Sequence, residues 1–316
     1  MNLNAFFLPS SQNPSRRHLV VFHATWILLL LGAAWGRFSL PLTPDLDPDF
    51  RGFLLPAVKA LTGHPFEHYE GRAILYPSLA YALLGVFRDF RAITIFHHGL
   101  GLATGLLLLA TWCAARRALS PARIPLWLHD SAGLAMFTLF LFSPKPIQFE
   151  FLIRPDVICP FFAALSLFLI GRFLLAWQVE RNSRAIFGFA VAAVFVSFIL
   201  PILKPSFWLS AIFTTIPVGC ALFDRREKPP RRLLMVALPL TAVGLLLILP
   251  ERLSSRHDIR NATFLPESIF SIHAQIIRDQ LAADLAVPDP TVPYPPEKLR
   301  TTLALLDAGI ASAKLN

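Results

Sequence analysis

The chain has 316 residues, 55% hydrophobic and 16% charged, with a formal net charge of +9. A soluble domain usually holds ~25% charged residues, so the composition excludes an ordinary soluble enzyme and points to a multi-pass membrane protein. The basic residues fall in short segments between apolar runs rather than on one soluble surface, which excludes a nucleic-acid partner.

A helical span needs ~20 mostly apolar residues to cross ~30 Å of hydrocarbon. Seven such segments lie near 19–36, 92–114, 127–143, 157–177, 185–203, 206–223 and 233–250. They are apolar all round, whereas barrel strands alternate. The expected fold is therefore all-α: a polytopic membrane helix bundle of about seven transmembrane helices plus external juxtamembrane helices. In the first segment Arg16 and Arg17 precede an apolar core from Leu19 to Trp35. That core exceeds the ~7–15 residues of a signal peptide, so it reads as an uncleaved anchor.

Arg116, Arg117 and Arg123 separate the second and third segments, and Arg181 and Arg184 follow the fourth. Arg225, Arg226, Lys228, Arg231 and Arg232 follow the sixth. The positive-inside rule puts these loops and the N-terminus in the cytoplasm. Residues 37–91, the loop 144–156, the Lys204-Pro205 turn and the tail from Glu251 are then external. Residues 73–87 resemble a further span, but the apolar run is short and flanked by Arg72 and Arg88. Counting it would turn every later basic loop outward, so it reads as a juxtamembrane or re-entrant helix.

In the first external loop Asp47-Pro48 reads as a helix start, because Asp caps well and Pro fits the first helical position. Phe50, Phe53, Leu54, Ala57 and Leu61 follow on one helical face. Arg51 and Lys59 fall off that face, and Gly63 supplies a C-terminal stop. The pattern describes an amphipathic helix over 48–62 lying in the interface. Capping and favourable charge at a helix start explain Asp47; for Asp49 both that role and a chemical one stay open.

The second external loop carries Glu150, Arg154 and Asp156. An ionisable residue where the chain re-enters the membrane is a functional candidate by default. For Asp156 the alternatives are an ion pair with Arg154 or a helix cap; Glu150 is the weaker candidate. Lys204 either snorkels from a helix end or neutralises a lipid phosphate. His97 and His98 point to different sides of a helix and read as packing residues. Asp130 reads as a cap and Arg172 as a snorkelling cation. Cys113, Cys159 and Cys220 are isolated, without metal-ligand spacing, and read as buried packing thiols.

The first loop resembles that of the GT-C superfamily of integral-membrane glycosyltransferases, which includes protein O-mannosyltransferases and lipid A aminoarabinose transferases. Their early motif is an Asp, an aromatic, a helix and a Gly about fourteen positions on, then a Tyr/Pro-Pro-Leu element leading into a short apolar helix. Here Asp49 is followed by Phe50 and Phe53, with Gly63 fourteen residues on and Tyr76-Pro77-Ser78-Leu79 beyond. Phe50 stands where Glu is frequent, and Ser78 replaces the second Pro. The resemblance spans residues 19–223 in segment order. It implies sugar transfer from a polyprenyl-phosphate donor to a lipid, glycan or protein acceptor at the external face, with a bacterial inner membrane favoured. It implies Asp49 as general base and Asp156 as a second acid. Arg51, Lys59, Arg72, Tyr76, Arg154 and Lys204 would serve substrate and leaving phosphate. No metal is indicated, and a divalent ion stays open.

Residues 1–250 thus form the expected transmembrane module. The tail 251–316 reads as two external helices, 264–285 and 296–313, around a Pro-rich linker. A transporter or flippase, or an inactive assembly subunit on the same scaffold, are the alternatives. A transporter of the repeat type would show two similar halves, and no convincing internal repeat is present.

Overall fold

Long unbroken runs of Leu, Phe, Ala and Val become helices because a helix satisfies every backbone group within its own segment where water is absent. A computed structural model describes residues 15–46, 49–66, 73–118, 125–223, 229–250, 273–286 and 295–314. Among them are twelve α-helices and no strand; one isolated bridge joins Asp45 to Leu152. The chain divides into two compact units, Met1–Arg256 and His257–Asn316.

The first unit opens with α1 (Arg16–Phe38), started by Ser15, whose hydroxyl accepts from the His18 N–H at 3.2 Å. Val20, Leu28, Leu31 and Trp35 of α1 are exposed, as lipid-facing side chains must be. Next come α2 (Phe50–Leu61) and α3 (Leu75–Phe87). The long α4 (Arg91–Ala118) is capped by Asp89, whose carboxylate accepts from the Arg91 backbone and side chain. That side-chain hydrogen bond holds Asp89 below the usual carboxylate range. The helices α5 (Leu126–Phe142) and α6 (Pro144–Glu150) meet at a 46° bend. The break falls at Ser143, which adopts ψ 128° because the residue before a proline disfavours helical geometry. There follow α7 (Ile158–Leu175), α8 (Ser183–Leu203), α9 (Trp208–Ala221) and α10 (Pro229–Val243).

All seven expected segments are helical. Four stretches are long and apolar enough to cross a membrane: Arg16–Phe38, Arg91–Arg116, Pro155–Glu180 and Ser183–Leu203, with the bent α5–α6 pair as a fifth. The apolar stretches Pro205–Ala221 and Arg232–Ile248 are shorter. At thirteen residues, α3 extends only about 20 Å at 1.5 Å per residue, short of a full span. These features make the chain a membrane protein of the all-helical class.

The first loop folds largely as its periodicity requires. Phe53, Leu54 and Ala57 are buried, Phe50 packs against the same core, and Leu61 at the helix end is exposed. Gly63 adopts φ +86° directly after the helix, the left-handed stop that favours glycine. The helix start differs from expectation: α2 begins at Phe50 with Asp49 in the cap position, while Asp47 and Pro48 lie outside the described residues.

Two further assignments change, those of Asp130 and Cys220. Asp130 lies inside α5 and does not cap it; it pairs with His18 of α1 at 2.8 Å and His129 at 3.1 Å. Arg172 lies 3.7 Å from Glu180 and over the Phe189 ring. Cys113 and Cys159 are buried, but Cys220 is exposed.

The second unit consists, in its described part, of α11 (Ala274–Ala286) packed on α12 (Pro296–Lys314) and tied by an Arg278–Asp307 pair at 2.8 Å. The expected helix 264–285 lies partly, and the Pro-rich linker largely, outside the described residues.

One polar cluster sits inside the first unit. Arg37 at the end of α1 donates from Nε to Glu150 Oε2 at 2.8 Å and from Nη2 to Oε1 at 3.1 Å. Its Nη1 donates to the Leu141 carbonyl at 2.8 Å. His98 donates from Nδ1 to Glu150 Oε2 at 2.7 Å; an ionised carboxylate only accepts, which fixes the tautomer. Arg37 is 1% exposed, Glu150 2% and His98 fully buried. Gly101 of α4 lets the carboxylate lie against the helix backbone, since a Cβ there would collide with Glu150. Removing one partner of a buried pair strands a charge and costs about 3–5 kcal/mol. Arg37→Met should therefore lower the unfolding midpoint in detergent sharply, and Arg37→Met/Glu150→Leu should recover part of the loss. A double variant no more stable than Arg37→Met would sink this account.

Candidate functional site

Two short sequences build the site by the same local rule. Arg154 precedes Pro155 and Lys204 precedes Pro205. A residue before proline is pushed to extended geometry; Arg154 has φ −160°, ψ 157° and Lys204 has φ −151°, ψ 111°. Each proline then opens a single 3₁₀ turn, Pro155–Val157 or Pro205–Phe207, which leads into α7 or α9. Both cations consequently stand at helix junctions.

Asp156, in the first of these turns, joins them. Its Oδ2 accepts from Arg154 Nε at 2.7 Å and its Oδ1 accepts from Lys204 Nζ at 2.5 Å. Arg154 Nη2 also lies 3.9 Å from Asp49 Oδ2. The sequence Asp49–Arg154–Asp156–Lys204 is thus one chain of alternating charge, drawn from the start of α2, the second loop and the end of α8. The loops are stitched together nearby: the Asp45 N–H donates to the Phe151 carbonyl at 2.8 Å, beside the Asp45–Leu152 bridge.

The two carboxylates differ. Both oxygens of Asp156 are committed to cations, so it acts as an anchor for Arg154 and Lys204. Asp49 makes no capping hydrogen bond to α2, and its side chain is 41% exposed. Of the two it is the more exposed acid, at 41% against 20% for Asp156.

The other expected site residues are placed as follows. Tyr76 is buried with its hydroxyl 3.3 Å from His97 Nε2 and its ring edge-on to Phe53, so it serves the core rather than an open pocket. His97 in turn donates from Nδ1 to the Glu150 carbonyl at 3.2 Å. Arg51 is exposed and forms no ion pair among the described residues. Lys59 lies further along α2, about 15 Å from Asp49 at 1.5 Å per residue. Arg72 lies outside the described residues. Glu150 is no open acid: it is the buried partner of Arg37.

Sequence reasoning missed Arg37 and the joint role of His98 and Glu150. The available signal was a lone arginine at the opposite end of α1 from Arg16 and Arg17. Among the described residues no group of three or more His, Cys, Asp or Glu side chains could hold a metal ion. Neither a family model nor a curated protein nor a solved structure matches the chain.

Because Asp156 is shared, its loss should subsume that of Lys204. Asp156→Ala should cost on the order of 2 kcal/mol, and Lys204→Ala should cost little more in that background. A double-mutant cycle read by chemical denaturation checks this; additive effects would rule out the shared anchor.

Proposed function

We propose that the chain is a membrane glycosyltransferase that moves a sugar from a polyprenyl-phosphate donor to an acceptor hydroxyl at the external membrane face. The observation that carries this reading is the juxtaposition of Asp49, an accessible carboxylate, with Arg154 and Lys204 held by Asp156. In the proposed step the acceptor oxygen attacks the anomeric carbon. Its proton passes to Asp49, the new glycosidic bond forms, and the bond from carbon to phosphate oxygen breaks with its electrons leaving on phosphate. Arg154 and Lys204 offset the charge that develops there. General-base catalysis contributes typically ~10²–10⁴-fold.

The location supports the reading. The cluster lies where α7 begins and α8 ends, beside the amphipathic α2 and the short apolar α3. The basic segments at Arg16-Arg17, Arg116-Arg117 and Arg181-Arg184 flank the opposite ends of the helices. By the positive-inside rule this arrangement supports a cytoplasmic N-terminus, an external cluster and an external tail, with a bacterial inner membrane as the favoured setting. The resemblance of the first loop to GT-C transferases supplies the donor class.

Asp49→Asn should reduce transfer of labelled sugar by about 10²–10⁴-fold with an unchanged unfolding midpoint. Full transfer by that variant would overturn the assignment of the base. For the orientation, a cysteine introduced by Thr62→Cys in a Cys220→Ser background should react with an impermeant maleimide on intact cells, and one introduced by Ala122→Cys should not. The reverse pattern would place the cluster on the cytoplasmic side.

A further inference from the structure

A cavity of about 280 Å³ opens beside the charged cluster. Its wall includes Asp156 but neither Asp49, Arg154 nor Lys204. Gly101 and Thr104, one turn apart on α4, form one side; Phe140, Phe149, Val157 and Pro160 supply apolar surface. Three of its elements belong to membrane-length helices, α4, the α5–α6 pair and the stretch Pro155–Glu180. One part of the cavity thus lies among apolar helices and another at the second loop.

Charge on the wall decides what it can hold. Lys145, Glu150 and Asp156 all contribute. Glu150 is committed to Arg37 and His98, and Asp156 to Arg154 and Lys204. Lys145 is exposed and forms no ion pair among the described residues. The uncompensated charge on the wall is therefore positive, which selects an anion. The volume falls just under the ~300–1,000 Å³ typical of ligand pockets, so it admits one chain segment rather than the body of a two-chain lipid.

We propose that this cavity binds a single-chain amphiphile with an anionic head, the head meeting Lys145 and the chain lying along Phe140, Phe149, Val157 and Pro160. The assignment uses none of Asp49, Arg154 or Lys204 and stands whether or not the chain transfers a sugar.

Binding to the full chain in phosphatidylcholine nanodiscs tests it. The probes are lysophosphatidic acid, lysophosphatidylcholine of the same acyl chain, and inorganic phosphate. Lysophosphatidic acid should bind once per chain and at least about tenfold more tightly than the zwitterionic lipid, as expected for one charge-assisted contact. Lys145→Gln should remove that preference, and Val157→Phe should weaken both lipids by filling the slot. Asp49→Asn should bind lysophosphatidic acid like the parent protein, which keeps this result separate from the transfer assay. Equal binding of the two lipids, or an unchanged preference in Lys145→Gln, overturns the proposal. Inorganic phosphate binding as tightly as lysophosphatidic acid would identify a free-anion site and overturn the lipid assignment. Lys145 is exposed, so its variant is readable even if Val157→Phe fails to fold.

Discussion

Arg37 brings a guanidinium into the interior at the end of α1, and Glu150 meets it with both carboxylate oxygens from the end of α6. An unpaired charge at that depth would cost several kcal/mol, so neither residue can sit there without the other. The pair therefore fixes the second loop to the first helix. His98 and the Leu141 carbonyl complete the arrangement from α4 and α5. Three helices, α1, α4 and α6, meet at one carboxylate and α5 joins them through Arg37; the missing side chain of Gly101 lets the carboxylate lie against α4.

The position of the candidate site follows from that anchor. Four residues after Glu150 the chain reaches Arg154, and two later Asp156. With Glu150 held on one side and α7 packed on α8 on the other, residues 151–157 have little freedom. The hydrogen bond from Asp45 to Phe151 then draws the first loop alongside, which brings Asp49 toward Arg154. A buried ion pair is weak evidence for net stability; here it specifies where a loop goes. The same carboxylate borders the neighbouring cavity, so one interaction shapes both the charged cluster and the slot beside it.

Much of this was legible in the sequence for definite reasons. The helices were readable because a membrane span is a length and composition constraint acting locally. The amphipathic face of α2 was readable because Phe53, Leu54 and Ala57 recur at helical spacing, and its end because Gly63 is the residue that tolerates a left-handed backbone. Arg154-Pro155 and Lys204-Pro205 carry their extended geometry in two letters each. The ion pair of Asp156 with Arg154 was among the readings its spacing allowed. By contrast, Tyr76 looked like a ligand contact and became a core residue, since nothing local reveals that His97 would occupy its hydroxyl.

The sequence by itself therefore determined the class of the protein, the positions of its helices and the turns that present Arg154, Asp156 and Lys204. Those features depend on neighbours within a few residues. Only the tertiary structure decided that Glu150 is a buried anchor while the Asp49 side chain stays 41% exposed. It also decided that Lys204, forty-eight residues away, completes Asp156. Partners separated by 113 residues, as Arg37 and Glu150 are, leave no periodicity to read. Their pairing is enforced by the cost of burying charge, which exists only once the helices have packed.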